Sequence, residues 1–168
     1  MEFKIGDGVV HPKYGVGIVV NLKDREFEPG VMHRYYEISM PGTTLWVSLE
    51  MPTFGLRKLA VRSEIERCRI ILASPPAPFI ENVRERQTEM ADQLKLGTIA
   101  AHCEVVRDLY AYFADKPSSG RIGGLLQIVQ DILCQEWALV EGVTVLDAAE
   151  EIKALLETSR QGVIKLKV

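Results

Sequence analysis

The chain has few cysteines and no long apolar run. The chain has three cysteines, an odd number, at the widely spaced positions Cys68, Cys103 and Cys134, and none is in a C-x-x-C pair. Neither a disulfide framework nor a zinc knuckle is therefore expected. No apolar run approaches the roughly eighteen residues that a membrane-spanning helix needs, and no basic stretch followed by an apolar one opens the sequence. These absences predict a cytoplasmic protein with reduced thiols and no membrane partner.

Positive charge is not in excess. The chain carries 20 Lys and Arg residues against 23 Asp and Glu residues, for a formal net charge of −3. This balance argues against a protein that coats nucleic acid by bulk electrostatics alone. Residues 1–62 hold 8 basic and 7 acidic residues (+1), whereas residues 63–168 hold 12 and 16 (−4). Any contact with DNA is therefore expected to be local.

Phosphate-binding and catalytic motifs are also missing. Gly15 and Gly17 lie in a glycine-rich stretch, but they lead into β-branched residues, and no G-x-x-x-x-G-K-[ST] motif occurs. A phosphate cradle needs backbone N–H groups that converge at the start of a helix, so these glycines are interpreted as turn and bend residues. His11 has no acidic partner or nucleophile at a motif spacing. The sequence predicts no enzyme, cofactor or metal site.

The two halves of the chain differ in periodicity. Up to about residue 62, apolar and polar residues alternate, and Gly and Pro interrupt the alternation. This pattern predicts four or five short strands in a small SH3-like β-barrel or curved sheet. The expected strands are FKIGD, GVGIVVNL, HRYYEISM and TTLWVSL, the last two joined at Pro41-Gly42. Apolar residues then recur every three or four positions. The predicted class is α+β, with a β domain (1–62), an all-helical bundle (63–159) and a tail (160–168).

Caps and apolar stripes define the predicted helices. Ser63 with Glu66 predicts a capping box for the first helix, Ser118 or Ser119 is expected to cap the fourth, and Thr144 with Asp147 opens the last. Apolar stripes at helical spacing are read as core. They include Ile70, His102, Cys103, Trp137, Val145 and Leu146. Neighbouring residues such as His102 and Cys103 point about 100° apart on a helix, which argues against a nucleophile and its base.

Four segments carry a family resemblance. FKIGDGVVHPKYGVGIV, GLRKL, GTIAAHCEVVRDLY and QDILCQEWALVE occur in one order between about Phe3 and Leu156. They resemble the CarD family of bacterial transcription regulators, which share their first domain with the RNA polymerase-interacting module of the transcription-repair coupling factor. The resemblance implies a Tudor-like five-stranded domain followed by a compact helical bundle.

The resemblance also implies a polymerase contact. The family's first domain docks on the β subunit of RNA polymerase by adding an exposed strand to a sheet edge of its partner, a mode in which main-chain hydrogen bonds supply affinity. The candidate residues for the docking strand or its neighbour are Tyr35, Tyr36, Ile38, Trp46 and Ser48. About half of them are expected to face the barrel core, because neighbours on a strand alternate between faces.

A second implied contact is with promoter DNA, at the upstream edge of the melted region. The family uses a tryptophan wedge followed by basic residues at the start of the second helix of the helical half, which here corresponds to Asn82, Val83, Arg84 and Arg86. Val83 replaces the wedge tryptophan, and Glu85 takes a place usually held by Arg. A valine buries far less area than an aromatic ring, so the predicted wedge is weak.

Three functional hypotheses follow. The first is a transcription regulator that binds the RNA polymerase β subunit and modulates promoter open-complex stability. The second is a polymerase- or protein-binding adaptor that has lost the DNA wedge, which the −4 charge of the helical half favours. The third is a thiol enzyme using Cys103 or Cys68, although buried cysteines are ordinarily inert. A monomer is expected, with the alternating SRQGVIKLKV end as a free tail or as a strand that could be exchanged in a dimer.

Overall fold

The structure, a computed structural model, describes residues 2–49, 56–78, 80–113 and 121–166. The chain divides into two compact units, Met1–Leu59 and Ala60–Val168. All strands of the described residues lie in the first unit and all helices in the second. The predicted α+β class, a small β domain followed by an all-helical domain, is confirmed.

The part of the first unit that the structure describes is a five-stranded antiparallel sheet with the strand order β4-β3-β2-β1-β5. A long central hairpin of β2 and β3 carries β1 on one side and β4 on the other. The strand bounds are β1 Gly8–His11, β2 Gly15–Glu28, β3 Val31–Met40, β4 Thr43–Ser48 and β5 Arg57–Lys58.

Glycines shape this sheet, as the sequence predicted. Gly15 has a φ of +84° in the turn into β2, and Gly42 has a φ of +76° after Pro41 in the β3–β4 turn, the residue pair that a type II turn favours. Gly17 lies against β3 so closely that a Cβ atom there would lie 2.6 Å from Ile38 Cγ2. None of these glycines opens a helix, so the structural interpretation of Gly15 and Gly17 is confirmed.

The predicted strand FKIGD is wrong, because the first strand begins only at Gly8. The Asp7 carboxylate accepts a hydrogen bond of 3.0 Å from the backbone N–H of Lys4, and Gly6 has a φ of +93°. This local turn competes with extended structure. Phe3 is nevertheless buried in the sheet core, whose members are Phe3, Val9, Val19, Tyr36, Ile38, Met40 and Leu56.

The described residues of the second unit form a bundle of five helices. Their bounds are α1 Arg62–Ala73, α2 Val83–Lys95, α3 Ile99–Phe113, α4 Arg121–Glu141 and α5 Val145–Leu166. Helix α1 packs against α3, α4 and α5, whereas α2 packs against α3. Within the described ranges, none of these helices combines the length and the apolar character that crossing a bilayer requires.

The predicted tail is wrong for residues 160–166, because α5 continues through Leu166. The chain offers no proline at this point, and a single Gly162 costs about 1 kcal/mol in a helix, which does not end it. Ser159 is buried, and its hydroxyl donates to the Ser74 carbonyl. The apolar and basic alternation at the end of the sequence therefore does not form a strand in these residues.

Helix starts were predicted with mixed success. The Ser63–Glu66 box is wrong, because α1 begins two residues earlier, with Val61 as N-cap and Glu64 accepting a 2.9 Å hydrogen bond from the Val61 N–H. The Thr144–Asp147 pair is confirmed, with the Asp147 N–H donating to Thr144 Oγ1 at 3.1 Å and the Thr144 N–H to Asp147 Oδ2 at 3.2 Å. The caps proposed at 118 and 119 lie outside the described residues.

Most of the predicted apolar stripes form the helical core. Trp137, Cys103 and Leu133 are among its fully buried members. Ile70, Val145 and Leu146 were predicted as core residues and are instead 72%, 50% and 69% exposed. Ile70 lies two residues from Cys68 and Leu72, and Leu146 lies two residues before Ala148. Two residues correspond to about 200° round a helix, so both side chains lie on the face opposite the buried stripe.

An ionic network joins three helices of the bundle. Arg69 of α1 donates to Glu151 of α5 at 2.6 Å and to Glu141 of α4 at 2.8 Å. The indole N–H of Trp137 donates to the other Glu151 oxygen at 3.0 Å, and the Arg69 guanidinium lies 5.2 Å from the indole centroid. The buried indole therefore has the hydrogen-bond acceptor that its N–H requires.

The network sets the titration of Glu151. Burial acts to raise the pKa of this carboxyl, but hydrogen bonds from Arg69 and Trp137 outweigh it, so the pKa lies below its ordinary value of 4.5. A carboxyl with a lowered pKa in the folded state stabilises the fold fully above its ordinary pKa. That stabilisation is lost as the pH falls below 4.5 and through the folded-state pKa.

We predict that Arg69→Met lowers the free energy of unfolding by about 1–2 kcal/mol at pH 7, since partly exposed charge-assisted hydrogen bonds are lost. The variant also loses less stability than the wild type between pH 5 and 3.5, because Glu151 loses the Arg69 hydrogen bond that is the largest cause lowering its pKa. Urea unfolding at several pH values measures both effects. Arg67→Met, at an exposed position of the same helix, is the matched control, and equal losses for the two variants would contradict the network's role.

Candidate functional site

The β3–β4 register divides the predicted docking residues between two faces of the sheet. Tyr36 pairs with Val47 and Ile38 with Leu45, whereas Tyr35 pairs with Ser48. Trp46 pairs with Glu37, on the same face as Tyr35. Residues that pair across two strands share a face, and neighbours on one strand alternate between faces. The five predicted docking residues therefore divide into an inner pair, Tyr36 and Ile38, and an outer group of three, Tyr35, Trp46 and Ser48.

Tyr36 and Ile38 belong to the core and are corrected as docking candidates. They are 3% and 0% exposed. The Tyr36 hydroxyl accepts a 3.1 Å hydrogen bond from the backbone N–H of Phe3, and the two rings meet edge to face with centroids 5.5 Å apart. The Tyr36 side chain holds the start of the chain onto the sheet, and neither buried side chain is available to a partner.

Trp46 lies at the centre of the outer group. Its half-buried indole is covered by the Arg25 guanidinium, whose carbon is 3.9 Å from the ring centroid. Lys23 lies 5.9 Å from the same ring and pairs with Glu37 at 2.9 Å. We call the surface formed by Lys23, Arg25, Tyr35, Glu37, Trp46 and Ser48 the Trp46 face.

Sequence reasoning missed Arg25 and Lys23. Both are on β2, which pairs with β3 through Lys23–Tyr35 and Arg25–His33. Their placement beside Trp46 depends on a register shift between Val19 and Asn21, because such a bulge reverses which side chains face outward beyond it. The alternation of β2 alone carries no signal for that shift.

Strand β4 is an edge strand of the sheet in the part of the chain that the structure describes. The N–H of Leu49 donates to the Arg34 carbonyl at 2.9 Å. Hydrogen-bonded residues alternate along an antiparallel pair, so Val47 and Leu45 direct their backbone groups toward β3. Thr44 and Trp46 consequently direct theirs away from the sheet. The β4 edge thus directs backbone N–H and C=O groups outward, next to the Trp46 face.

The predicted DNA residues lie at the start of α2. Asn82 is the N-cap, and its side-chain oxygen accepts hydrogen bonds from the N–H groups of Arg84 at 3.0 Å and Glu85 at 3.3 Å. Val83 is the first helical residue, and its side chain lies outside the described part of the structure. Arg84 is exposed. Asn82 thus has a structural function that requires no DNA.

Arg86 faces the body of the helical unit. Its guanidinium donates to the Ile80 carbonyl at 2.9 Å and lies 5.5 Å from the Tyr112 ring centroid on α3. These contacts fix the segment that precedes α2. Of the two arginines predicted to meet phosphate, only Arg84 presents an exposed side chain.

Acidic side chains follow Arg84 along α2. Glu85, Glu89 and Asp92 line an open groove with Thr88, Gln93 and Leu96. Their spacing of four and three residues places the three carboxylates on one side of the helix. This acidic row would repel a phosphate backbone that approached α2 from that side.

Family comparisons match both units of the chain. Residues 3–59 match the CarD-like/TRCF RID domain, and residues 69–153 match the CarD C-terminal domain. The chain belongs to the CarD family. It is also 24% identical over 145 residues to the "Putative transcription factor YdeB" of Bacillus subtilis (strain 168), which covers 84% of this chain and 94% of the relative.

The family assignment gives the chain a class of function. CarD proteins are transcription factors and not enzymes, so this chain is a transcription regulator whose first unit is a polymerase-interacting domain. The thiol-enzyme hypothesis is therefore rejected. Among the described residues, no group of three or more His, Cys, Asp or Glu side chains is arranged to hold a metal ion.

We predict that Tyr36→Phe destabilises the β unit by about 1 kcal/mol or more, because the buried N–H of Phe3 loses its acceptor. Urea unfolding and hydrogen exchange of the Phe3 amide measure the effect. Tyr35→Phe, on the outer face, is the matched control and is expected to change stability by less than about half as much. A larger loss for Tyr35→Phe would contradict the assignment of the two faces.

Proposed function

We propose that this CarD-family chain binds the β subunit of RNA polymerase through the β4 edge and the Trp46 face, and thereby modulates promoter open-complex stability. The observation that carries the proposal is the coincidence, on one strand, of outward-directed backbone groups and the Arg25–Trp46 stack. This activity would take place in the bacterial cytoplasm. The docking part is assigned to residues 1–62 and the promoter part to residues 63–159.

The edge and the face have different roles in this proposal. A strand of the partner that pairs with β4 gains main-chain hydrogen bonds that depend little on sequence. Trp46 and Tyr35 supply large apolar rings to the contact, the type of residue that dominates interface energetics. Arg25 keeps the indole in place and leaves a positive charge at the rim, which favours an acidic partner surface.

We predict that Thr44→Pro and Trp46→Ala each weaken binding to the purified β subunit about tenfold or more. Proline at 44 removes an outward N–H without breaking the β3–β4 ladder, since edge strands tolerate proline on that side. Thr44→Val keeps the N–H and is the matched control, with binding within about twofold of wild type. Binding is measured by titration, and circular dichroism verifies the fold.

Two outcomes would contradict the docking proposal. Undiminished binding by Thr44→Pro would eliminate edge pairing. Binding to the polymerase core enzyme without binding to the isolated, folded β subunit would contradict the subunit assignment.

The promoter contact is proposed at the start of α2. Asn82 caps the N-terminal end of α2, where the helix dipole is positive. Arg84 is exposed beside it, so the helix end and the Arg84 guanidinium could both approach a phosphate group. Val83 would supply the small apolar contact predicted for the wedge position. Glu85 lies next to these residues and opposes the contact.

We predict that Arg84→Glu shortens the lifetime of the promoter open complex by about two- to fivefold, because one phosphate neutralisation is lost. Glu85→Arg is the opposite charge reversal at the adjacent position and is expected to lengthen the open-complex lifetime by a similar factor. Competitor-challenge kinetics with purified polymerase measure the lifetime. Both variants retain β-subunit binding, and a loss of that binding would contradict the separation of the two contacts.

The acidic row of α2 favours a second candidate function, that of an adaptor. Glu85, Glu89 and Asp92 would suit a basic protein surface better than DNA. In that case the first unit would recruit the chain to polymerase while α2 recruited another protein. Unchanged open-complex lifetimes in both Arg84→Glu and Glu85→Arg, with polymerase binding intact, would favour the adaptor over the promoter contact.

A further inference from the structure

Helix α2 is attached to the rest of the helical unit by a narrow row of contacts. Among its described side chains, Met90 alone is buried, and Arg86, Gln93 and Leu94 are half-buried. Met90 and Leu94 pack in the common core, and Arg86 faces the Tyr112 ring of α3. Residues 86, 90 and 94 are four apart, which places these contacts in one row along the helix. The other described side chains of α2 are exposed.

Helix α3, on which α2 packs, is held on all sides. It contacts α1, α4 and α5 as well as α2, and none of its described side chains is exposed. Segments with few buried apolar contacts open at a lower free energy than segments enclosed by the core. The separation of α2 from α3 therefore costs less free energy than the unfolding of α3.

The chain is fastened on both sides of α2. Before α2, the Ala77 N–H donates a 2.9 Å hydrogen bond to the Asp108 carboxylate of α3, in a run whose three prolines have no N–H to donate. After α2, Gly97 has a φ of +64°, which glycine adopts at little cost. Thr98 then begins α3, and its Oγ1 accepts a 3.2 Å hydrogen bond from the Ala101 N–H. Release of α2 requires neither fastening to break.

We propose that α2 is a detachable helix, which releases from α3 and unwinds while α1, α3, α4 and α5 stay folded. Release separates Arg86 from Tyr112 and withdraws Met90 and Leu94 from the core. The ionic network of Arg69 involves α1, α4 and α5 and is left intact. A helix of 13 residues is marginally stable alone in water, so the released α2 loses its own backbone hydrogen bonds.

The state of α2 would control the promoter contact, a consequence that rests on the proposed function. Asn82 accepts hydrogen bonds from the N–H groups of Arg84 and Glu85 in the first turn of the formed helix. Unwinding removes that turn and the positive helix end. A phosphate group that binds there consequently shifts α2 toward its attached, helical form.

The test is amide hydrogen exchange of the native full-length protein at several low urea concentrations. We expect the α2 amides to exchange about 100-fold or more faster than the protected α3 amides, and with a weaker dependence on urea, because local opening exposes little surface. Met90→Ala and Leu94→Ala are each expected to raise the α2 exchange rates about fivefold or more. Gln87→Ala, at an exposed position of the same helix, is the matched control and changes them less than about twofold. Two core replacements guard against one that fails to fold.

Equal exchange rates with equal urea dependence for α2 and α3 would overturn the proposal, because α2 would then open only with the whole unit. Unchanged α2 rates in both Met90→Ala and Leu94→Ala would also overturn it. A second measurement adds purified polymerase and promoter DNA. Slower α2 exchange in the open complex supports the coupling to phosphate, and unchanged exchange contradicts that coupling. Since the first measurement contains neither polymerase nor DNA, its result stands independently of the promoter contact.

Discussion

The register between β3 and β4 is the constraint on which the first unit depends. The Pro41-Gly42 turn sets it at one end, and the close approach of Gly17 to Ile38 restricts the neighbouring strand. A slip of β4 by one residue would exchange its inner and outer faces, bringing Trp46 into the core and exposing Leu45 and Val47. Core packing and the composition of the Trp46 face are therefore determined by the same hydrogen-bond ladder.

The helical unit depends on a different kind of interaction. Arg69 connects α1 with the last residue of α4, Glu141, and with Glu151 of α5, whose carboxylate also accepts from the Trp137 indole. Helix α2 is outside this arrangement and packs against α3. The polar anchors thus stabilise a central bundle, while the helix that carries Arg84 and the acidic row is held at its side by Arg86 and local apolar contacts.

The sequence was sufficient for the fold class, because periodicities of two and of about 3.6 residues are strong local signals. It was also sufficient for the cap formed by Thr144 and Asp147, which are three residues apart. It failed where distant partners decide the outcome. The bulge that places Arg25 beside Trp46 and the buried Glu136 that binds the Ala60 N–H arise from contacts between segments, and the pattern around each residue does not encode them.

The open edge of β4 has a consequence for the free protein. An exposed strand edge is a template for any other strand, including the β4 edge of a second copy. Two copies meeting edge to edge would bring their Lys23 and Arg25 side chains, clustered at each Trp46, toward one another. Like charges brought together in this way oppose self-association. The cations beside the indole therefore disfavour the pairing of two copies along this edge of the described sheet.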